Sequence, residues 1–170
     1  MEKKIPFKNY MILGLVVVVT VLAVFYMRNW YIMTKIYNNT SPMLDVVSEI
    51  NADEISNYVM ENQNFIIYVS SSTNDKVKGF EKNFSKYIVD KGISNSILYI
   101  NLDTNDNALL TNQLITYART KDVKNNINNN GVSIYIFDNG DITKVITNVD
   151  KVNIRQIDKI FKKYGVIDNA

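Results

Sequence analysis

An uninterrupted apolar stretch near the amino terminus is the strongest hydrophobic pattern in the chain. Residues Tyr10 to Met27 include no charged residue and no proline. A helix rises about 1.5 Å per residue, so a stretch of this length just crosses a hydrocarbon core about 30 Å thick. The pattern predicts a transmembrane helix over residues 10–30, whose final aromatic side chains lie at the membrane interface.

The charges around this stretch predict its orientation. Lysines dominate residues 1–9, whereas Arg28 and Lys35 follow the stretch. Because basic residues favour the cytoplasmic side, we expect residues 1–9 to form a cytoplasmic tail and the C-terminal part to be extracytoplasmic. No small-residue cleavage motif follows the stretch, which favours an uncleaved, single-pass signal-anchor. A buried core helix is the alternative, but so small a chain would not cover an apolar cylinder on every side.

Beyond this anchor, short apolar runs alternate with amphipathic segments. Phe65–Val69 and Ile97–Ile100 are continuous apolar runs, typical of strands buried on both faces. Between them, apolar positions recur every three or four residues from Val77 to Ile88 and predict a helix that ends near Gly92. This order predicts a right-handed βαβ unit with parallel strands.

The remaining pattern predicts a helix, a loop, a hairpin and a last helix. In chain order, these elements cover residues 108–120, 125–130, 132–138, 141–147 and 153–165. The two strands flank Asn139-Gly140, the dipeptide best suited to a type I′ turn. Asn153 is the expected N-cap of the last helix, with Gln156 at the capping-box position, and Gly165 is its expected stop.

These elements fit one domain on a stalk. Residues 31–49 include the polar segment Asn38–Pro42 and are expected to form the stalk, with a possible edge strand over Leu44–Ile50. Residues 50–167 are long enough for one domain with its own core, and this domain begins with a helix predicted over residues 51–61.

Composition excludes several classes of function. The sequence has no cysteine and no histidine, so it offers no thiol nucleophile, no serine–histidine triad and no sulfur–nitrogen zinc site. Residues 39–170 hold 14 basic and 16 acidic side chains, which argues against nucleic acid as a partner. The run from Asp103 to Asn107 begins like a calcium loop but lacks the later glycine and glutamate, so we expect no metal and no cofactor. The richness in asparagine and lysine fits an AT-rich bacterial genome.

The order of the elements resembles that of the thioredoxin fold. Tyr68, Thr73 and Phe80 are placed as in small membrane-anchored thioredoxin-like proteins, including bacteriocin-transport accessory proteins. In those proteins a C-x-x-C motif lies between the threonine and the phenylalanine. The resemblance covers roughly residues 50–165. It implies an α/β fold of three layers, with a central mixed sheet and helices on both faces.

Both catalytic landmarks of that family are missing. Aligned on these residues, the two cysteine positions fall on Asn74 and Val77, and an alignment with thioredoxin itself places them on Thr73 and Lys76. The cis-proline position falls on Val132. We expect an ordinary trans peptide there, because a cis bond before valine costs about 2.5–4 kcal/mol. The resemblance therefore supports the fold and argues against the family's redox activity.

The sequence thus predicts a redox-inactive thioredoxin-like module that binds a protein partner on the outer side of a bacterial cell membrane, with membrane lipid around residues 10–30. The expected binding surface corresponds to the substrate groove of active relatives and comprises Ser71, Ser72, Thr73, Asn74, Gly131 and Val132. One alternative is a small envelope hydrolase or transferase with a nucleophile at the Ser70–Asp75 helix start and Lys76 or Lys78 as its base. The free amides of that helix start would also suit an anion. A further alternative is an accessory subunit whose anchor helix makes the essential contact.

Overall fold

The computed structural model describes residues 6–127 and 131–168, without the side chains of residues 35–39. The predicted tail over residues 1–9 and the predicted loop over residues 125–130 therefore lie partly outside the described residues. The chain divides into two compact units, residues 1–39 and residues 40–170, and each is described by itself.

The first unit is one long helix, α1, which covers Phe7–Asn39. Between Phe7 and Thr34 this helix is long and apolar enough to span a membrane. Its large apolar side chains, such as Leu15 and Leu22, are exposed. The helix continues past the predicted end at residue 30 because residues 31–41 contain neither proline nor glycine.

The second unit is built on a five-stranded mixed sheet with the order β1-β3-β2-β4-β5. The strands are β1 (Ser48–Glu49), β2 (Phe65–Ser70), β3 (Ile97–Asn101), β4 (Ser133–Asp138) and β5 (Asp141–Thr147). β3 runs parallel to both β1 and β2, as the βαβ prediction required. β4 lies antiparallel to β2, with Ile134 opposite Tyr68, and β5 completes the hairpin. Asn139 and Gly140 both have positive φ angles, as a type I′ turn needs.

Five α-helices of the described residues cover this sheet. They are α2 (Ile55–Glu61), α3 (Asp75–Lys91), α4 (Asn107–Thr116), α5 (Lys121–Asn126) and α6 (Ile154–Lys163). The helix predicted over residues 108–120 is α4, which ends at Thr116, and the sequence did not predict the separate helix α5 that follows. The chain breaks between them because the Tyr117 carbonyl accepts a hydrogen bond from Ile142 N (2.7 Å), and the Thr120 side chain then caps α5.

The helices form a layer on each face of the sheet. α3 and α6 cover one face, where Tyr68, Phe84 and Phe161 are fully buried. α2, α4 and α5 cover the other face, over a second core that includes Ile67 and Leu110. Three layers, a βαβ unit, an antiparallel hairpin and a final helix together define a thioredoxin-like fold, which confirms the predicted fold class.

The segment that follows α1, residues 41–47, which we call the entry segment, differs from the stalk expected there. Ser41 is 1% exposed, Met43 is fully buried and Val47 is 7% exposed. Pro42–Asp45 forms a 3-10 turn capped by the Ser41 side chain, and this turn packs against α3. The segment is buried because Met43 and Val47 add apolar surface to the core under α3.

Candidate functional site

The site is the loop between β2 and α3, at the carboxyl end of the parallel strands. β2 ends at Ser70 and α3 begins at Asp75. Asn74 has an extended backbone, and its side-chain oxygen accepts a hydrogen bond from Lys76 N at 3.1 Å. This is an ordinary N-cap, so the residue type explains where α3 starts.

Asp103, which follows β3, holds this loop in place. Its carboxylate accepts hydrogen bonds from Ser71 Oγ (2.8 Å), Ser72 Oγ (2.9 Å) and Thr73 N (2.9 Å). The Ser71 and Thr73 hydroxyls are also within hydrogen-bond distance of each other, at 3.1 Å. Three consecutive residues of the loop are thus bound to one carboxylate. We call these four residues, Ser71, Ser72, Thr73 and Asp103, the Asp103 cluster.

Asn101, the last residue of β3, forms hydrogen bonds with Ser72 and Asp103 of the Asp103 cluster. Its side-chain oxygen accepts hydrogen bonds from Asp103 N (3.0 Å) and Ser72 N (3.4 Å), and its amide nitrogen donates to Ser72 Oγ (3.2 Å). Asn101 and Ser72 are both buried. The loop is therefore fixed by a connected polar network, which sets its shape without a covalent link.

The hydrogen bonds of this network stabilise the ionised form of the Asp103 carboxyl. Partial burial alone would raise the pKa of Asp103, but the hydrogen bonds from Ser71, from the Thr73 amide and from Ser72 outweigh it and hold the pKa of that carboxyl below its ordinary value. Asp103 is therefore an anion at neutral pH and a weak base. Its backbone contact, with the Thr73 amide, lies just before Asn74, the N-cap of α3.

A second polar cluster lies beneath the loop, around the fully buried Glu81 of α3. Its carboxylate accepts hydrogen bonds from Ser70 Oγ (2.7 Å), Ser41 Oγ (2.8 Å) and Tyr68 Oη (3.0 Å). Burial and then the Glu81 charge raise the pKa of Tyr68, so its phenol stays protonated and donates. This Glu81 cluster joins the end of β2 to the entry segment.

Gly131 and Val132 lie at the same end of the sheet as the loop. Val69 of β2 pairs with Ser133 of β4, which places the start of β4 beside the end of β2. The Val132 carbonyl accepts a hydrogen bond from Val149 N at 3.1 Å. No peptide bond among the described residues is cis, so the Gly131–Val132 bond is trans as expected.

The structure separates the predicted surface into exposed and buried parts. Thr73 and Asn74 are exposed and Ser71 and Gly131 are half-buried, whereas Ser72 and Val132 are buried and are not open to a partner.

The two possible cysteine positions also differ in exposure. Val77 is 1% exposed and belongs to the core. Thr73 and Lys76 are both exposed, so only that alignment puts the two positions at the surface.

The sequence-based search missed Asp103, Asn101 and Glu81. In the sequence, Asp103 stands out only as part of a calcium-like run. Within that run, Asp106 instead caps α4, and the Asn105 side-chain oxygen binds Ala52 N at 2.7 Å. No cluster of three or more acidic side chains in the described ranges is placed to hold a metal ion. The adjacency of β2 and β3 was the available signal, because the carboxyl ends of adjacent parallel strands bring their following loops together.

Comparison with known proteins adds solved structures of low sequence identity. No protein-family model matches the chain, and no curated protein matches it. Chlamydomonas reinhardtii thioredoxin f2 is similar over 69% of this chain and 95% of its own, with 11% identity and a TM-score of 0.49. Oxidized mitochondrial thioredoxin 3 from Saccharomyces cerevisiae is similar over 71% and 98%, with 12% identity and a TM-score of 0.49. Oxidized thioredoxin O1 from Arabidopsis thaliana is similar over 69% and 96%, with 8% identity and a TM-score of 0.47. The fold assignment rests on the strand order and connections of this chain.

Proposed function

We propose that this protein is a membrane-anchored thioredoxin-like module that binds a protein partner on the outer side of a bacterial cell membrane, without redox chemistry. The observation that carries the proposal is the Asp103 cluster: the loop that replaces the reactive thiols is closed by an internal carboxylate. The chain has no cysteine to exchange a disulfide.

The Asp103 cluster favours binding because it fixes the loop before any partner arrives. Thr73 and Asn74 remain exposed on a loop whose neighbouring hydroxyls and amide already have partners. A loop ordered in advance loses less conformational entropy on association. Thr73 and Asn74 are therefore the residues that we expect to contact the partner.

The same geometry disfavours the hydrolase or transferase alternative. The Ser71 and Ser72 hydroxyls donate to a carboxylate whose pKa is lowered, so Asp103 is a poor base for activating either serine. Lys78, a candidate base, is ion-paired with Asp75 at 3.3 Å. An activated nucleophile needs a base of suitable pKa within reach, which these contacts do not supply.

A photo-crosslinking amino acid at position 74, in the intact membrane, tests the binding proposal. The matched control carries the same amino acid at Asn139, which is exposed at the opposite end of the sheet. We expect a discrete protein adduct from position 74 and none from position 139. The adduct should weaken when Asp103→Ala releases the loop. Equal adducts from both positions, or none from either, would contradict the proposal.

Separate Ser71→Ala and Ser72→Ala variants distinguish the enzymatic alternative. A binding loop should lose adduct yield gradually, because each hydroxyl makes only part of the network. An enzyme with a serine nucleophile would lose its turnover completely with one of the two variants.

Labelling of single cysteines tests the membrane orientation, since the natural chain contributes no background thiol. Met60 is 79% exposed in the domain, and Lys8 is exposed at the start of α1. A membrane-impermeant maleimide should label Met60→Cys on intact cells and Lys8→Cys only after lysis. The reverse pattern would place the domain in the cytoplasm.

A further inference from the structure

The basic and acidic residues of the domain lie in different parts of it, which the nearly balanced total charge of the domain does not show. Helices α3 and α6 together carry nine basic and four acidic residues, whereas the rest of residues 39–170 carries five basic and twelve acidic residues. One pair of helices is therefore strongly positive, and the remainder of the domain is strongly negative. Such a separation produces a field that orients the molecule near a charged surface.

α3 and α6 present their charges from a single layer, because the two helices pack side by side. The Phe84 and Phe161 rings lie 6.4 Å apart. Tyr87 Oη donates to the Asp158 carboxylate at 3.2 Å, and Lys91 Nζ lies 3.6 Å from the same carboxylate. These contacts join the middle of α3 to α6 in one continuous face.

Most cations of this layer point away from the core. The α3 side chains that pack inward are Val77, Phe80, Glu81, Phe84 and Ile88, and Ile157 and Phe161 pack inward from α6. The exposed basic side chains of the two helices include Lys82, Lys86, Arg155, Lys159 and Lys163, which we call the basic face. Within the described part of the chain, none of these five makes an ion pair.

The acidic residues of α3 and α6 do not neutralise the basic face. Asp75 pairs with Lys78, and Asp158 is shared between Lys91 and Lys162. Asp90 is the remaining exposed acid on these two helices. The unpaired lysines and arginine therefore outnumber the unpaired acids on the basic face.

The chain enters the domain on this same layer. α1 ends at Asn39, and two residues later Ser41 Oγ donates to Glu81 of α3 at 2.8 Å. Met43 is buried in the core that α3 and α6 share. A membrane anchor at α1 would therefore hold the domain near the membrane surface by a covalent link.

We propose that the basic face docks on anionic phospholipid headgroups of the membrane that α1 spans. This inference rests on the membrane anchoring in the proposed function, and it adds an orientation for the domain. Each lysine or arginine near an anionic surface strengthens such docking about fivefold. Among the described residues of α3 and α6, Val89 is the only large apolar side chain that is strongly exposed, so this face offers a protein partner little apolar surface.

The test uses the full chain in lipid vesicles with a fluorophore on a single introduced cysteine. Gln156→Cys places the label at an exposed position of α6, and Met60→Cys places the control label on α2, on the other side of the sheet. Vesicles contain phosphatidylcholine alone or an equal mixture with phosphatidylglycerol, each with a headgroup spin-labelled lipid as quencher. We expect quenching at position 156 in the mixed vesicles only, and none at position 60. Salt at about 1 M should abolish it, because the Debye length falls to about 3 Å.

Charge variants complete the test. Replacing Lys82, Lys86, Lys159 and Lys163 by glutamine should weaken docking more than ~100-fold. The matched control, Lys121→Gln with Lys124→Gln, alters α5 on the other layer and should leave quenching unchanged. Equal quenching in both vesicle types, or no effect of salt, would overturn the docking proposal even where the variants fold poorly. Failure of the protein to float with the vesicles would instead overturn the anchoring on which it rests.

Discussion

Removal of the Glu81 carboxylate should cost the domain much of its stability. The Glu81 side chain is fully buried, and its three hydrogen-bond partners, Ser41, Tyr68 and Ser70, are at most 1% exposed. The three hydrogen bonds measure 2.7, 2.8 and 3.0 Å. A buried donor left without its acceptor costs about 1–3 kcal/mol, so Glu81→Ala should lower the free energy of unfolding by about 3–5 kcal/mol. Glu81→Gln retains an acceptor oxygen and should cost about 1–2 kcal/mol.

Urea unfolding of the full chain in detergent micelles, monitored by the circular dichroism of its tyrosines, measures the free energy of unfolding of both variants. Glu61→Ala on α2 is the matched control, because Glu61 is exposed and should change stability by less than about 0.5 kcal/mol. Hydrogen exchange adds a local measurement, since Val47 N donates to the Met43 carbonyl at 3.0 Å and this bond should open when the entry segment unpacks. The reasoning is refuted if Glu81→Ala costs no more than Glu61→Ala, or if exchange at Val47 does not accelerate.

Three further changes test the loop, the core and the hairpin. The pKa of Asp103 is lower in the folded protein than its ordinary value. The ionised carboxylate therefore stabilises the folded domain above the ordinary aspartate pKa, and this stabilisation is lost as the pH falls through the lowered value. The difference in Tm between wild type and Asp103→Asn should be constant from about pH 8 to 5 and shrink below about pH 4. Phe84→Ala should lower the free energy of unfolding by about 3–5 kcal/mol, since Phe84 is fully buried, whereas Val89→Ala on the exposed side of α3 should change it by less than about 0.5 kcal/mol. Gly140→Ala should cost about 1 kcal/mol in urea unfolding because Gly140 has a φ of +81°, and no loss would argue against the type I′ turn.

Local sequence signals predicted the elements that depend on local physics. Asn153 caps α6 with Gln156 in a capping box, and Gly92 ends α3 in the left-handed conformation, both as expected. The apolar runs of β2 and β3 became fully buried parallel strands. Caps, turns and hydrophobic period each depend on residues within a few positions of one another, so a single sequence is enough to predict them.

The features that sequence reasoning missed depend on residues far apart in the chain. Ser41 and Glu81 are 40 residues apart, and Ser71 and Asp103 are 32 residues apart. Hydrophobic periodicity does not report which polar side chains will meet once the sheet has formed. The burial of residues 41–47 was missed for the same reason: a short polar segment with a proline is typical of a linker, and α3, against which the Pro42–Asp45 turn packs, lies far along the chain.

The Asp103 cluster explains how the loop before α3 is ordered in a chain that has no cysteine. The start of α3 presents backbone amides and polar side chains that need acceptors, whatever chemistry the loop performs. In this chain Asn74 accepts from Lys76 N of α3, and the Asp103 carboxylate accepts from the Thr73 amide and the Ser71 and Ser72 hydroxyls just before the helix. Asn101 fixes that carboxylate from β3. The negative charge of Asp103 disfavours a second anion, such as a thiolate, beside it. The loop is therefore ordered by hydrogen bonds that need no thiol, and this geometry is the basis on which we propose a binding function.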